Sequence, residues 1–295
     1  MEKKLNIDIK TNRPIAYVSK NKAGKKSKLL VHIILIIGAI IMIIPFIWMI
    51  LTAFKTVSET TQLDPFIIFP SEWRFNAFES VIKQMNFFRL YWNTIALIFW
   101  RVFCALVTAT MAGYAFARLN FKGKNIAFTL VLVQMMIPSQ IFIIPQYQIV
   151  SKLGLLNTTF ALVFPGIVTA FGTFLLRQAF MGLPKDLEEA ARLDGCNIGQ
   201  TFLYVMLPLV KSSLVALGIF TALFAFKDLM WPLVVNTEQS TMPLAAALAK
   251  LQGQFSTNYP ELMAASVLAC IPMIIIYIIF QKQFIQGIAT SGGKL

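Results

Sequence analysis

Leu183-Pro184-Lys185-Asp186-Leu187-Glu188-Glu189-Ala190-Ala191-Arg192-Leu193-Asp194-Gly195, continued by Cys196-Asn197-Ile198-Gly199-Gln200-Thr201-Phe202-Leu203-Tyr204-Val205-Met206-Leu207-Pro208, lies between two long apolar runs. It holds four of the chain's 13 acidic residues. Pro184 is suited to opening a helix, and Asp186, Glu188 and Glu189 favour its positive N-terminal end. Leu187, Ala190 and Ala191 fall at i, i+3 and i+4, which makes one apolar stripe with Leu193 beside it. Gly195 stands where a helix stops in a left-handed conformation. A second short helix is expected from about Ile198, and Pro208 begins the next apolar run. Two readings fit the segment. It is an amphipathic helix lying on a membrane, or a knob whose small Ala190 and Ala191 let a soluble partner approach closely.

The flanking runs decide between a soluble and a membrane setting. Of 295 residues, 57% are hydrophobic and 13% charged. Soluble domains average about 45–50% apolar and about 25% charged. Such a chain has too little polar surface for an ordinary soluble enzyme, and the excess clusters into runs long enough to cross about 30 Å of hydrocarbon. Six spans are expected, at 29–54, 92–117, 125–146, 159–180, 209–231 and 261–281. Unbroken apolar runs favour helices, because lipid offers the backbone no hydrogen bonds. Span 29–54 exceeds the core of a signal peptide and no small-residue cleavage pattern follows it, so it is expected to be retained.

The net charge of +13 comes from 26 basic and 13 acidic residues. Nine of the basic groups lie in residues 3–28, before the first span, where they read as a cytoplasmic flank rather than a nucleic-acid site. With the N-terminus inside, the inner segments hold sixteen Lys and Arg and the outer segments six. Both termini are therefore expected inside. Cys104, Cys196 and Cys270 are far apart, and His32 is the single histidine. Neither a metal cluster nor a Ser-His-Asp arrangement is expected. A membrane enzyme would need clustered ligands at the interface, and the acidic group 186–194 has no histidine beside it.

The sequence resembles a known family at this point. Glu189-Ala190-Ala191, three residues, Gly195, nine residues and Val205-Met206-Leu207-Pro208 is similar to the EAA loop of ATP-binding-cassette importer permeases. The family pattern ends I-x-L-P, so Val205 is a mild departure. Asn93-Thr94, Gly113-Tyr114-Ala115-Phe116-Ala117-Arg118, Met136-Ile137-Pro138, Leu153 to Thr158, Phe174 to Gln178, Gln252 to Phe255 and Phe280 to Gly287 extend the likeness. It covers roughly residues 29–290. Together they look like the carbohydrate subfamily of maltose- and glycerol-phosphate-type permeases, and like the six-span member of its two-permease pair.

The resemblance implies an all-α membrane protein with the six-helix type I importer fold. The expected organisation is a basic cytoplasmic tail at 1–28, a peripheral first helix at 29–54 and an extracytoplasmic loop at 55–91. A core permease follows at 92–284, with its coupling loop at 184–208 and a cytoplasmic tail at 285–295. The implied location is the bacterial cytoplasmic membrane. The implied partners are lipids, a second homologous permease, a dimer of cytosolic ATPases and an extracytoplasmic sugar-binding protein. ATP and magnesium would belong to the ATPases, since this chain has no phosphate-binding loop of its own. Glu189, Ala190, Ala191, Asp194, Gly195, Leu207 and Pro208 would form the ATPase-coupling segment. Gln252, Gln254, Asn258 and Tyr259 would meet the binding protein, or cap the helix ends.

Polar groups inside spans are costly and draw functional attention. Arg101, Lys227 and Asp228 are the ionisable ones, and the family usually has a pair such as Trp-Asn where Lys227-Asp228 stands. Three arrangements are open. Lys227 and Asp228 snorkel to the outer surface, Arg101 pairs with Asp228, or the basic groups favour an acidic solute. Asn93, Gln134 and Trp231 are further pathway candidates, with Trp231 suited either to a sugar face or to the membrane interface.

Overall fold

The computed structural model describes residues 25–252 and 257–292, and among them every regular element is helical. The chain divides into two compact units, Met1–Trp48 and Met49–Leu295. Helix α1 (Lys25–Ala53) begins in the first. In the second, two short helices, α2 (Val57–Thr61) and α3 (Asn76–Gln84), precede the long α4 (Phe87–Arg118). Then come α5 (Lys124–Met136), α6 (Ile143–Lys152), α7 (Thr159–Val163) and α8 (Ala170–Met181). The next polar segment forms α9 (Asp186–Leu193) and α10 (Ile198–Leu209). Helices α11 (Lys211–Lys227), α12 (Met230–Val235), α13 (Leu244–Ala249) and α14 (Tyr259–Gly292) complete the unit.

Three helices are individually long and apolar enough to span a membrane: Leu29–Ala53, Phe87–Arg118 and Tyr259–Ile279. Three bent pairs pass the same test, giving up to six spans. The six expected spans are thus accounted for only with bends in the middle of the chain. Span 125–146 turns by 100° between Lys124–Met136 and Ser139–Lys152. Pro138 lacks an N–H and holds Ile137 extended at φ −90°, ψ 125°, so α5 must end there. Span 159–180 bends by 48° around Phe164-Pro165-Gly166. Span 209–231 ends at Lys227, where Asp228 takes an extended backbone (ψ 115°) before α12 begins.

Helix α4 is the axis of the larger unit and packs on α7, α8, α11 and α13. Its residues enter three separate buried clusters. Leu90 joins Val81, Met242 and Leu244; Leu97 joins Val150, Leu162 and Trp231; Ala109 and Tyr114 join Leu176, Phe180 and Leu217. At 32 residues it is about 48 Å long, more than the hydrocarbon thickness. It starts at Phe87, ahead of the expected 92, because the Asn86 side chain accepts the Arg89 N–H at 3.0 Å. Small residues set the α4–α8 spacing. A Cβ on Gly113 would stand 2.9 Å from Leu176 Cβ, and one on Gly172 would stand 2.9 Å from Ala109 Cβ. Much of the apolar surface faces outward, Ile274, Ile275, Ile278 and Ile279 of α14 among it. A lipid environment removes the cost that water would impose on such a surface.

The segment before α4 is tied by one carboxylate. Glu59 accepts from the Thr56 N–H at 2.7 Å and the Ser71 N–H at 3.0 Å, and also from the Ser71 hydroxyl. The Ser71 hydroxyl, with these backbone donors, holds the Glu59 carboxyl at about 2 against an ordinary 4.5.

Two outcomes follow from this packing. Gly172→Leu should lower the stability of the purified protein by about 1–3 kcal/mol through overpacking, read as a fall in its detergent unfolding midpoint. The Glu59 contribution is complete above its unfolded-state pKa and disappears as pH falls through about 2. Amide exchange at Ser71, corrected for intrinsic rate, should therefore stay slow at pH 4. Glu59→Gln should make it fast at neutral pH.

Candidate functional site

The polar segment 183–208 folds into two helices around a defined turn. Helix α9 ends in a double hydrogen bond: the Cys196 N–H donates to the Ala191 carbonyl at 2.9 Å and the Gly195 N–H to Arg192 at 3.0 Å. That closure requires a left-handed residue, and Gly195 supplies it at φ 84°. Asn197 then caps α10 reciprocally with Gln200, both bonds being 2.9 Å. The middle of α10, Thr201–Met206, is a π-helical turn, and Leu207 and Pro208 form its last turn.

The apolar stripe expected on α9 is only partly right. Glu188 (9% exposed) and Ala191 face inward with Leu187 half-buried, while Ala190 and Leu193 (90% exposed) face out. Arg118, the last residue of α4, causes this rotation. Its guanidinium donates to the carbonyls of Phe180 at 2.6 Å and Leu183 at 2.5 Å, and lies 3.8 Å from the Glu188 carboxylate. The buried acid turns α9, so Glu189, Ala190, Leu193 and Asp194 form an outward face, continued by Gly195 and Ile198. Leu203 and Tyr204 of α10 are also exposed.

A second feature lies within the spans. A cleft of about 620 Å³ is lined by residues from α4, α5, α11, α12 and the bends beside α6 and α8. It brings together Arg101, Gln134, Lys227, Asp228 and Trp231, five of the six expected pathway residues. The sixth, Asn93, lies elsewhere. Its amide donates to the Ser240 and Met242 carbonyls at 2.9 Å each, which pins the segment before α13 to α4.

The geometry distinguishes the charges. Arg101 Nη2 is 2.7 Å from Asp228 Oδ2, so the pairing arrangement is the one adopted and Asp228 does not snorkel. The same guanidinium donates to the Leu162 carbonyl through Nε at 3.0 Å and Nη2 at 2.6 Å. Trp231 is 4% exposed, and its indole N–H donates to the Ala161 carbonyl at 2.8 Å. Both acceptors belong to α7. Pro165 has no N–H to return to Ala161, four residues earlier, so the bend leaves a free carbonyl inside the bundle. The Trp231 indole N–H is thus engaged in backbone satisfaction, while the residue also lines the cleft. Gly166 makes room for Arg101, since a Cβ there would stand 3.1 Å from the Arg101 side chain.

Sequence reasoning missed Ser139, Gln140, Gln146, Thr169, Thr221 and Phe224, which also line the cleft. The signal was available. Pro138 and Pro165 interrupt apolar runs, and interrupted spans mark solute sites in transporters. After α13 in the chain, Gln252, Asn258 and Tyr259 are exposed, and Asn258 accepts the Glu261 N–H at 3.3 Å at the start of α14. Gln254 lies outside the described residues.

Residues 105–290 match the family described as binding-protein-dependent transport system inner membrane component. This chain belongs to that family. It is 36% identical over 261 residues to the arabinooligosaccharides transport system permease AraQ of Halalkalibacterium halodurans, covering 87% of this chain and 92% of that protein. It is 28% identical to the lactose transport system permease LacG of Rhizobium radiobacter, covering 88% and 93%. Among solved structures it is similar to a chain of a bacterial ABC transporter that imports the acidic polysaccharide alginate. There the TM-score is 0.73 and the identity 24%, covering 88% of this chain and 97% of that one. The chain is thus a membrane-embedded transport permease of the type I importer fold.

The permease's ion pair should behave as a unit. Arg101→Met alone leaves Asp228 and the Leu162 carbonyl without their donor and should cost on the order of 2–3 kcal/mol. Arg101→Met with Asp228→Leu should recover part of that loss, in a thermal double-mutant cycle on the purified protein.

Proposed function

We propose that this permease is the membrane subunit of an ATP-driven, binding-protein-dependent importer of a sugar or oligosaccharide. The observation that carries the reading is the likeness, along nearly the whole chain, to permeases of arabinooligosaccharide and lactose transport systems. The cleft is chemically suited to that cargo. Gln134, Gln140, Gln146, Ser139 and Thr221 offer amides and hydroxyls to sugar hydroxyls, and Phe224, 68% exposed, offers a ring face. A volume of about 620 Å³ is in the range of small-molecule sites.

ATP hydrolysis belongs to cytosolic partner ATPases, with magnesium bound there, and this chain is not itself an enzyme. The α9 face of Glu189, Ala190, Leu193 and Asp194 docks on one ATPase. Ala190 permits close approach and Ala191 seats the helix. Leu207 and Pro208 end α10 at a 76° bend into α11, so force received at α9 and α10 reaches the cleft wall. A second homologous permease closes the open side of the cleft. An extracytoplasmic binding protein delivers solute near Gln252, Gln254, Asn258 and Tyr259. Both termini lie in the cytoplasm of a bacterium, with the basic tail 1–28 on the inner leaflet, 55–91 outside, 92–284 as the core and 285–295 inside.

Gly195→Val tests the coupling role. A Cβ there meets nothing within 4 Å, so the effect comes from the φ of 84° alone. A β-branched residue in that conformation costs about 1–2 kcal/mol, which corresponds to about a tenfold loss of coupling. Sugar-stimulated ATPase activity of the assembled complex should fall by about that factor, while membrane abundance and the co-purifying subunits stay unchanged. Undiminished stimulation would remove the coupling assignment.

A further inference from the structure

Three charged side chains line the cleft, and they are not equivalent. Arg101 and Asp228 neutralise each other at 2.7 Å, and Arg101 also donates to Leu162 through Nε and Nη2. Lys227 is the residue next to Asp228, yet among the described residues its ammonium has neither a hydrogen bond nor an ion pair. The wall therefore carries one uncompensated positive charge.

The depth of that charge matters. Arg101 lies about 21 Å along α4 from Phe87 and about 26 Å from Arg118, at 1.5 Å per residue. Its partner Asp228 is thus held well inside the span, and Lys227 stands at the same break. The side chain is exposed to the cleft. Its position at the C-terminus of α11 is favoured by the helix dipole, but a dipole does not replace a counter-ion. In the open cleft, water solvates the ammonium. A solute that fills the cleft displaces that water and must replace it. A neutral sugar offers hydroxyl oxygens only, so the cation is left under-compensated. A carboxylate supplies a charge-assisted bond, and low-dielectric walls focus the field toward it.

We infer that Lys227 is a specificity-determining residue for a negative charge on the cargo, so that the importer's solutes are anionic oligosaccharides of the uronate-bearing class. This rests on the reading of the chain as a sugar permease. Gln134, Gln140 and Gln146 hold the hydroxyls, while Lys227 selects the carboxylate. The Arg101–Asp228 pair keeps Asp228 from cancelling that selection.

The test uses the organism itself, with its complete importer. A strain lacking this chain is complemented with wild type, Lys227→Gln or Lys227→Arg, and each strain's membrane abundance is checked. Each is fed a mixed partial hydrolysate of glucuronoxylan and arabinan, which contains short uronate-bearing and neutral oligosaccharides. Depletion of each oligosaccharide from the medium is followed by mass spectrometry. Wild type should deplete uronate-bearing species. Lys227→Gln should lower the ratio of uronate-bearing to neutral uptake by at least about tenfold, the loss of one charge-assisted contact, and Lys227→Arg should retain most of it. The inference is overturned if wild type takes up neutral species alone. It is equally overturned if Lys227→Gln lowers both kinds by the same factor, which would assign the ammonium to a carboxylate of the second permease. If the strain lacking the chain depletes every sugar as fast as wild type, the sugar reading itself fails and the inference falls with it.

Discussion

A backbone carbonyl that loses its helical donor inside a membrane protein must find another one, and much of this architecture follows from that demand. Pro165 breaks the fourth span and strands the Ala161 carbonyl. Trp231, from α12, and Arg101, from α4, donate to consecutive carbonyls of α7. Three elements distant in sequence are thereby fixed around one interruption. The interruption is also what opens space, because a straight helix through 159–180 would leave no bend beside the cleft. Arg101 is then held by a carbonyl and a carboxylate together, which makes an intramembrane cation tolerable.

A similar device recurs at the C-terminal end of α4. Arg118 donates to the carbonyls of Phe180, in the last turn of α8, and Leu183, just beyond it, and lies beside Glu188. One helix thus carries an arginine clamp at mid-span and another at its end. The first organises the cleft and the second orients the exposed face of α9. Between them, Gly113 and Gly172 allow α4 and α8 to approach closely, so the two clamped regions belong to one packed body.

The sequence made the helical class, the span positions and the Gly195 turn legible, because each rests on local physics. Apolar run length and a left-handed cap can be read within a window of residues. The rotation of α9 could not be read that way. The stripe Leu187, Ala190, Ala191 was chosen by hydrophobicity, whereas Glu188 is turned inward by Arg118, seventy residues away. The cleft was half visible. Arg101, Gln134, Lys227 and Asp228 stand out as polar residues in apolar runs, but what Trp231 and Asn93 bind does not. Their partners are backbone carbonyls, which leave no trace in composition. Gln140 and Gln146 reach the cleft through the 100° turn after Pro138, which apolar run length does not show.

The 76° bend between α10 and α11 has the geometry of a bell crank. Met206, Val210 and Leu217, on either side of that corner, share one buried cluster with Tyr114 and Phe180, so the corner is stiffened by packing rather than left as a free joint. The α10 arm is about 18 Å long at 1.5 Å per residue. A sideways displacement of about 3 Å at Ile198 therefore corresponds to a rotation of about 10° at Val210. The other arm ends at Lys227 and Asp228, so small linear travel on the loop side becomes angular travel at the cleft wall.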